Sequence, residues 1–130
     1  MFLETSAIIE ILLDTERSKD LIAQLERSKS PRSTAPTVIY EATTVLAGKQ
    51  NLDVSVAERL VRSLLSALDV ETIAMTDQTA SVAIDAFARY GKGRHSAKLN
   101  FGDCFSYAGA KAAGVGLLYV GDDFAQTDLA

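Results

Sequence analysis

The sequence predicts a single α/β domain built on a mainly parallel sheet with helices on both faces. Three observations lead there. Short apolar runs at Met1–Leu3, Val70–Ala74 and Leu117–Val120 read as strands. Amphipathic stretches of helical period lie between them. Strands that are joined through helices rather than tight turns pair in parallel. At 130 residues the chain suits one domain, large enough to bury most of the surface that it exposes when unfolded. It carries no internal repeat and no low-complexity tract.

The elements follow in order. Met1–Leu3 is an apolar run ending in Glu4, and Thr5-Ser6 before Ala7–Leu13 reads as a turn into a helix capped by one of the two hydroxyls. Glu4 then stands at a strand's carboxyl end beside a helix N-terminus, where the helix dipole alone favours an acid by about 0.3–1 kcal/mol. Ser18–Arg27 places Leu21, Ile22 and Leu25 at helical spacing, with Lys and Glu on its other faces. Lys29–Ser33 is a breaker cluster, and Pro36 opens a helix that runs to about Gly48. Val38, Ala42, Val45 and Leu46 form its buried stripe, and Glu41 projects from the flank, about 100° from the centre of that stripe.

Asp53–Leu68 is the next amphipathic helix, with Val56, Leu60, Val61, Leu64 and Leu68 as its core face. After the strand at Val70–Ala74, Thr76 or Asp77 caps a helix through Val82, Ala83, Ala86 and Phe87 to Tyr90. Gly91–Lys98 is a basic, Gly-rich loop whose Lys92, Arg94 and Lys98 suit phosphates. It lacks the spacing of a nucleotide-binding loop, and His95 has no second His at ligand distance. The following helix places Phe101, Phe105, Ala108, Ala112 and Val115 on one stripe, with Asp103 roughly opposite, and stops at Gly114. Leu117–Val120 reads as a buried parallel strand ending at Asp122 and Asp123, the edge at which ligands of such sheets sit.

Composition narrows the function. Hydrophobic residues make up 48% and charged residues 23% of the chain, a globular balance, and no apolar run approaches the roughly 18 residues of a membrane span. The opening segment has no basic n-region, so a cytoplasmic location and no membrane partner are expected. The single Cys104 excludes an internal disulfide and a thiolate zinc site within the chain, and reads as a small buried hydrophobe. A net charge of −4 argues against a general nucleic-acid coat protein. It is compatible with acids gathered around metal ions beside a local basic loop.

Glu4, Glu41, Asp103 and the Asp122/Asp123 pair are expected to converge on one crevice. Carboxylates held several Å apart raise one another's pKa unless a cation is present. Oxygen ligands without His or Cys select Mg²⁺, with Mn²⁺ as a substitute. Such ions activate water for attack on phosphorus, so the expected chemistry is phosphodiester hydrolysis.

Phe2-Leu3-Glu4-Thr5-Ser6-Ala7, Tyr40-Glu41, Arg89–His95, Leu99–Phe105 and Gly121-Asp122-Asp123-Phe124 together resemble PIN-domain ribonucleases of the VapC toxin type. The resemblance covers nearly the whole chain and is most specific in its last third. It implies one PIN-like domain over residues 1–130, with about four to five mainly parallel strands flanked by helices. It also implies a Mg²⁺-dependent endoribonuclease, the toxin of a type II toxin–antitoxin pair, inhibited by a VapB-like antitoxin, usually homodimeric, and meeting DNA only through the antitoxin. Glu4, Glu41, Asp103 and Asp123 are then the metal-binding acids, with Asp122 as a supporting or second-metal acid and Ser6 orienting Glu4.

One position departs from the family pattern. The first acid is normally Asp, and Glu4 carries its carboxylate about 1.5 Å further from the strand. That departure motivates an alternative, a PIN-like binding module with a weakened metal site that acts mainly through antitoxin binding. A phospho-acceptor receiver or aspartyl phosphatase fits less well. Glu4-Thr5-Ser6 is no DxD nucleophile, and no lysine follows the late strand.

Overall fold

The computed structural model describes residues 1–130. Four two-residue strands, β1 (Phe2–Leu3), β2 (Ser33–Thr34), β3 (Glu71–Thr72) and β4 (Leu117–Leu118), form one sheet in the order β3-β2-β1-β4. Every pairing is parallel, with Phe2 opposite Ser33 and Leu117, Leu3 opposite Leu118, and Thr34 opposite Thr72. Six helices surround it: α1 (Thr5–Leu12), α2 (Ser18–Arg27), α3 (Pro36–Gln50), α4 (Val54–Ala67), α5 (Asp77–Tyr90) and α6 (Phe101–Ala113). A short 3₁₀ turn, Phe124–Gln126, follows β4. The expected α/β class and parallel sheet are what the chain forms, with four strands.

Strand order positions the site. The chain steps from β1 outward to β2 and β3, then returns to place β4 on the other side of β1. The sheet therefore reverses direction between β1 and β4, and the carboxyl ends of these two strands flank a crevice of the kind that open parallel sheets use for ligands. Glu4 leaves one of those ends, and Gly121-Asp122-Asp123 follows the other.

β1 is the centre of the core. Phe2 and Leu3 are fully buried, as are Leu118, Leu99, Ile8 and Ala108. Gly109 of α6 lies so close to Phe2 that an added Cβ would meet its ring at 2.5 Å. A glycine there lets the helix backbone rest on the central strand.

Several expectations are corrected. β2 falls at the end of the segment read as a breaker, because a strand of Ser33 and Thr34 has no apolar run to betray it. Both residues are nonetheless buried, and the Thr34 hydroxyl donates to the Leu3 carbonyl at 3.0 Å. On α4 the buried residues are Ala57, Val61 and Leu65, an i, i+4, i+8 row, whereas Leu60 points outward. The helix seats itself through small Ala57 rather than through the larger Leu60. Phe87 of α5 is likewise exposed.

The largest correction concerns α6. Its buried face is Asp103, Cys104 and Ser106–Ala110, while Phe101 and Ala112 are exposed and Phe105 is half-buried. The helix packs by its small residues, and the aromatic stripe lies off the sheet. Asp103 consequently faces the interior and not the side away from the packing. Gly114 ends the helix in the left-handed region at φ 66°, as expected.

Candidate active site

Glu4 is the first residue to place. It has extended backbone and is the N-cap of α1, taking the role that the sequence suggested for Thr5 or Ser6. Its Oε2 accepts from the Ser6 backbone N–H at 2.8 Å and from the Ser6 hydroxyl. The longer Glu side chain is able to fold back over its own helix start in this way. Ser6 Oγ in turn accepts from the Val120 backbone N–H at 2.9 Å. One hydroxyl thus joins the end of β1 to the segment that follows β4. Glu4 is 4% exposed. Burial pushes its pKa up to about 7, against the opposing effect of the Ser6 hydrogen bonds and with help from Asp103 and Glu41 nearby.

Asp103 sits in the first turn of α6 within a reciprocal capping box. The Asn100 side chain accepts from the Asp103 N–H at 2.9 Å, and Asp103 Oδ2 accepts from the Asn100 N–H at 3.0 Å. Its carboxyl is also raised, to about 6, chiefly by burial; the Asn100 hydrogen bond opposes this, and the negative charges of Asp123 and Glu41 reinforce it. These electrostatic influences define the group. Glu4 feels Asp103 and Glu41, and Asp103 feels Asp123 and Glu41.

Glu41 reaches this group from the flank of α3, where it is half-buried. Its Oε1 accepts from the hydroxyl of Thr5, the residue after Glu4. Its Oε2 lies over Gly102, where an added Cβ would stand 2.7 Å away. Four segments that are distant in sequence, ending β1, crossing α3, opening α6 and following β4, therefore bring their acids to one crevice.

Asp122 and Asp123 are both exposed in the turn after β4. Asp123 acts on the Asp103 carboxyl, and Asp122 is not among the groups that shift it. The segment beyond is pinned down. Phe124 is buried, and Asp128 accepts from the Tyr107 hydroxyl at 2.8 Å and pairs with Lys111 at 2.7 Å.

The basic loop is exposed at Lys92, Arg94 and Lys98. Lys92, Arg94, His95 and Lys98 ring a shallow open depression without an apolar side chain in it. Arg94 stacks over the Phe87 ring at 5.5 Å, and His95 Nδ1 accepts from the Ala97 N–H at 3.0 Å, so this imidazole organises the loop itself. Ser96 donates to Gln126, tying the loop to the turn that carries Asp123.

The donor set suits a hard divalent cation. Every candidate ligand is a carboxylate, and two are buried with raised proton affinity, which marks negative charge held together without a counter-charge. As they stand, no three of the chain's acidic, His or Cys side chains are already drawn into a finished ligand set. Ion binding therefore requires these side chains to close up, and the Glu4–Ser6 hydrogen bonds are the ones to rearrange.

Three contributors escaped the sequence reading. Thr5 anchors Glu41, Gly102 makes room for it, and Asn100 caps Asp103. Asn100 had a usable signal, an N-cap residue three positions before an acid. Thr5 and Gly102 had none, because each acts through a partner far away in sequence.

The chain matches the model of the PIN domain over residues 1–129. It is 39% identical to ribonuclease VapC36 of Mycobacterium tuberculosis over 130 residues, covering 99% of this chain and 91% of that protein. It is 37% identical to a VapC ribonuclease of Rhizobium meliloti, covering 98% of each. In three dimensions it resembles the crystal structure of Mycobacterium tuberculosis VapC20, described as a sarcin-ricin loop cleaving toxin, with a TM-score of 0.70 at 20% identity over 95% of this chain and 92% of that one. A chain of a toxin–antitoxin complex from Klebsiella pneumoniae superposes with a TM-score of 0.71 at 19% identity, covering 98% of this chain and 92% of that one. With its parallel sheet, its acids at the β1/β4 crevice and this similarity along its full length, the chain belongs to the PIN-domain family, among the VapC-type ribonuclease toxins.

Proposed function

We propose that this chain is a Mg²⁺-dependent endoribonuclease that hydrolyses RNA phosphodiesters through Glu4, Glu41, Asp103 and Asp123. The observation that carries the reading is the mutual electrostatic influence of acids from four separate segments at the switch point of the sheet, two of them buried with raised proton affinity. Mn²⁺ is an acceptable substitute for an all-oxygen ligand set.

When bound, a divalent ion at such a site lowers the pKa of water and stabilises the leaving oxygen of a phosphodiester. The chain's own residues do the rest. Glu4, Asp103 and Asp123 supply the ligand charge, with Asp122 at the rim as an outer contributor. Glu41 completes the negative wall opposite Gly102, and Ser6 orients Glu4. Lys92, Arg94 and Lys98 hold the RNA backbone beside the acids, since Ser96 and Gln126 link their loop to the Asp123 turn. The family places such a toxin under a VapB-like antitoxin, and we extend that partner, a homodimeric state and a cytoplasmic location to this chain. No helix is long and apolar enough to cross a membrane.

One observation favours a second reading. Glu4 spends Oε2 on Ser6, and no finished ligand set is present, which suits a weakened site in a protein that acts mainly by binding its antitoxin. Cleavage of end-labelled single-stranded RNA separates the two. The nuclease reading expects cleavage with Mg²⁺, none in EDTA, and none with folded Asp103→Asn. A folded wild-type chain that is inactive with Mg²⁺, and rescued by Glu4→Asp, supports the binding-module reading. Cleavage indifferent to EDTA and to Asp103→Asn contradicts the proposed site.

A further inference from the structure

Six large hydrophobic side chains are left exposed, and the two most exposed, Phe101 at 75% and Tyr40 at 73%, stand on either side of the candidate acids. Both line one recess with Glu41, Thr44, Val45 and Gly102. Tyr40 also borders the neighbouring hollow toward Val54, and Phe101 borders the apolar groove toward Ile84 and Phe87, so the two rings form the side walls of the Glu41 recess. Each ring is next in sequence to a residue of the site: Tyr40 precedes Glu41, and Phe101 precedes the Gly102-Asp103 pair. Phe101 is braced from behind by Phe105, with ring centroids 5.0 Å apart.

We propose that Tyr40 and Phe101 form a base-stacking subsite that receives a nucleobase of a single-stranded RNA next to the phosphate held at the acids. The proposal rests on the nuclease reading above and names the form of its substrate. Single-stranded nucleic acids bind through aromatic side chains that stack on splayed bases, while the backbone is met by charge. Here the flat surfaces border the acids, and the cationic loop lies apart from them. Glu41 decides between a base and an apolar protein surface as the occupant. A hydrophobic partner seated between the rings would cover this carboxylate without offering it a donor, which is costly. A nucleobase brings a flat face for the rings and N–H groups along its edge.

The chain has no tryptophan, so Phe101→Trp and Tyr40→Trp each introduce a sole reporter at an exposed position that the core does not use. Each variant is mixed rapidly in Mg²⁺ with a mixed-sequence single-stranded RNA about twelve nucleotides long, and separately with an abasic oligomer of equal length and charge. The expected result is quenching of tryptophan emission by the base-containing RNA before turnover and none by the abasic oligomer. In parallel, Phe101→Leu and Tyr40→Leu raise KM by about fivefold or more, a larger change than in kcat.

The subsite is overturned if neither tryptophan responds or if the abasic oligomer quenches equally well. It is also overturned if emission shifts with protein concentration alone, in step with dimer formation by sedimentation, because the face then belongs to a second copy of the chain. Metal-dependent cleavage without quenching removes the subsite and leaves the nuclease reading standing. Base-dependent quenching with no cleavage under any condition supports the subsite and contradicts the nuclease reading.

Discussion

Glu41 accepts a hydrogen bond from the Thr5 hydroxyl across 36 residues of chain, and this contact couples the helix that follows β1 to the acid that α3 contributes. Thr5 is itself buried, held by the first turn of α1. The hydroxyl therefore acts as a fixed stop for a side chain that would otherwise swing on a helix flank. Gly102 forms the opposite stop.

Removing either stop should reduce activity more than stability. In Gly102→Ala the new methyl would stand 2.7 Å from Glu41 Oε2, the far end of a flexible side chain. The carboxylate moves aside and the fold survives, with a stability loss under about 1 kcal/mol and a fall in cleavage of about tenfold or more. Thr5→Val keeps the shape, deletes the donor and should behave alike. Thermal unfolding and cleavage rates measured together check this; a variant that loses stability but retains specific activity contradicts the positioning role.

Shortening Glu4 should strengthen the metal site. Asp remains a good N-cap, so α1 keeps its start, while its carboxylate no longer reaches as far back over the Ser6 hydroxyl. Glu4→Asp is expected to lower the Mg²⁺ concentration for half-maximal cleavage several-fold. A higher requirement would show that the crevice is shaped around the longer side chain.

The raised carboxyls make the metal-free protein sensitive to pH in a defined direction. Glu4 titrates near 7 and Asp103 near 6 when folded, against ordinary values of 4.5 and 3.8. Between about pH 4 and 7 the folded chain thus binds more protons than the unfolded chain, and stability falls as pH rises through that window. Glu4→Gln should raise stability at pH 8 by up to about 3 kcal/mol and leave it nearly unchanged at pH 4.5. Mg²⁺ should raise Tm more at pH 8 than at pH 5. Melting curves at the two pH values, with and without Mg²⁺, give the answer; stability that rises with pH would contradict the buried acid pair.

The two acids after β4 should be unequal. Asp123 raises the proton affinity of Asp103, and Asp122 does not figure in that shift. Asp123→Asn should lower cleavage by about tenfold to a hundredfold and bring the Asp103 carboxyl down. Asp122→Asn should change the rate by less than about threefold, in the manner of a rim charge. Equal losses would place both in the ligand set.

Much of this was legible in the sequence, for physical reasons that differ by element. The strands at Phe2–Leu3 and Leu117–Leu118 are apolar because they lie at the centre of the sheet, and caps such as Thr76 act within one turn, so both leave local signals. β2 leaves none, since Ser33 and Thr34 are buried against neighbours rather than by their own hydrophobicity. The orientation of α6 was misread because aromatic Phe101 and Phe105 dominate its periodicity, whereas the helix rests on Phe2 through Gly109. Burial of Asp103 was hidden by that misreading. The acids were recognisable by their places at strand ends and by family resemblance. The residues that hold them, Thr5 and Gly102, became visible only when α1, α3 and α6 were seen together.

Calorimetric titration of the metal-free chain with Mg²⁺ at pH 7, in two buffers of different ionisation enthalpy and alongside Asp103→Asn, tests the central claim most directly. The account expects binding to the wild-type chain with release of protons, because ion binding must empty the raised Glu4 and Asp103 carboxyls, and expects that binding and release to be lost in the folded variant. Binding of equal strength in Asp103→Asn, or no binding to a folded wild-type chain, would contradict an acid-built metal centre at the β1/β4 crevice.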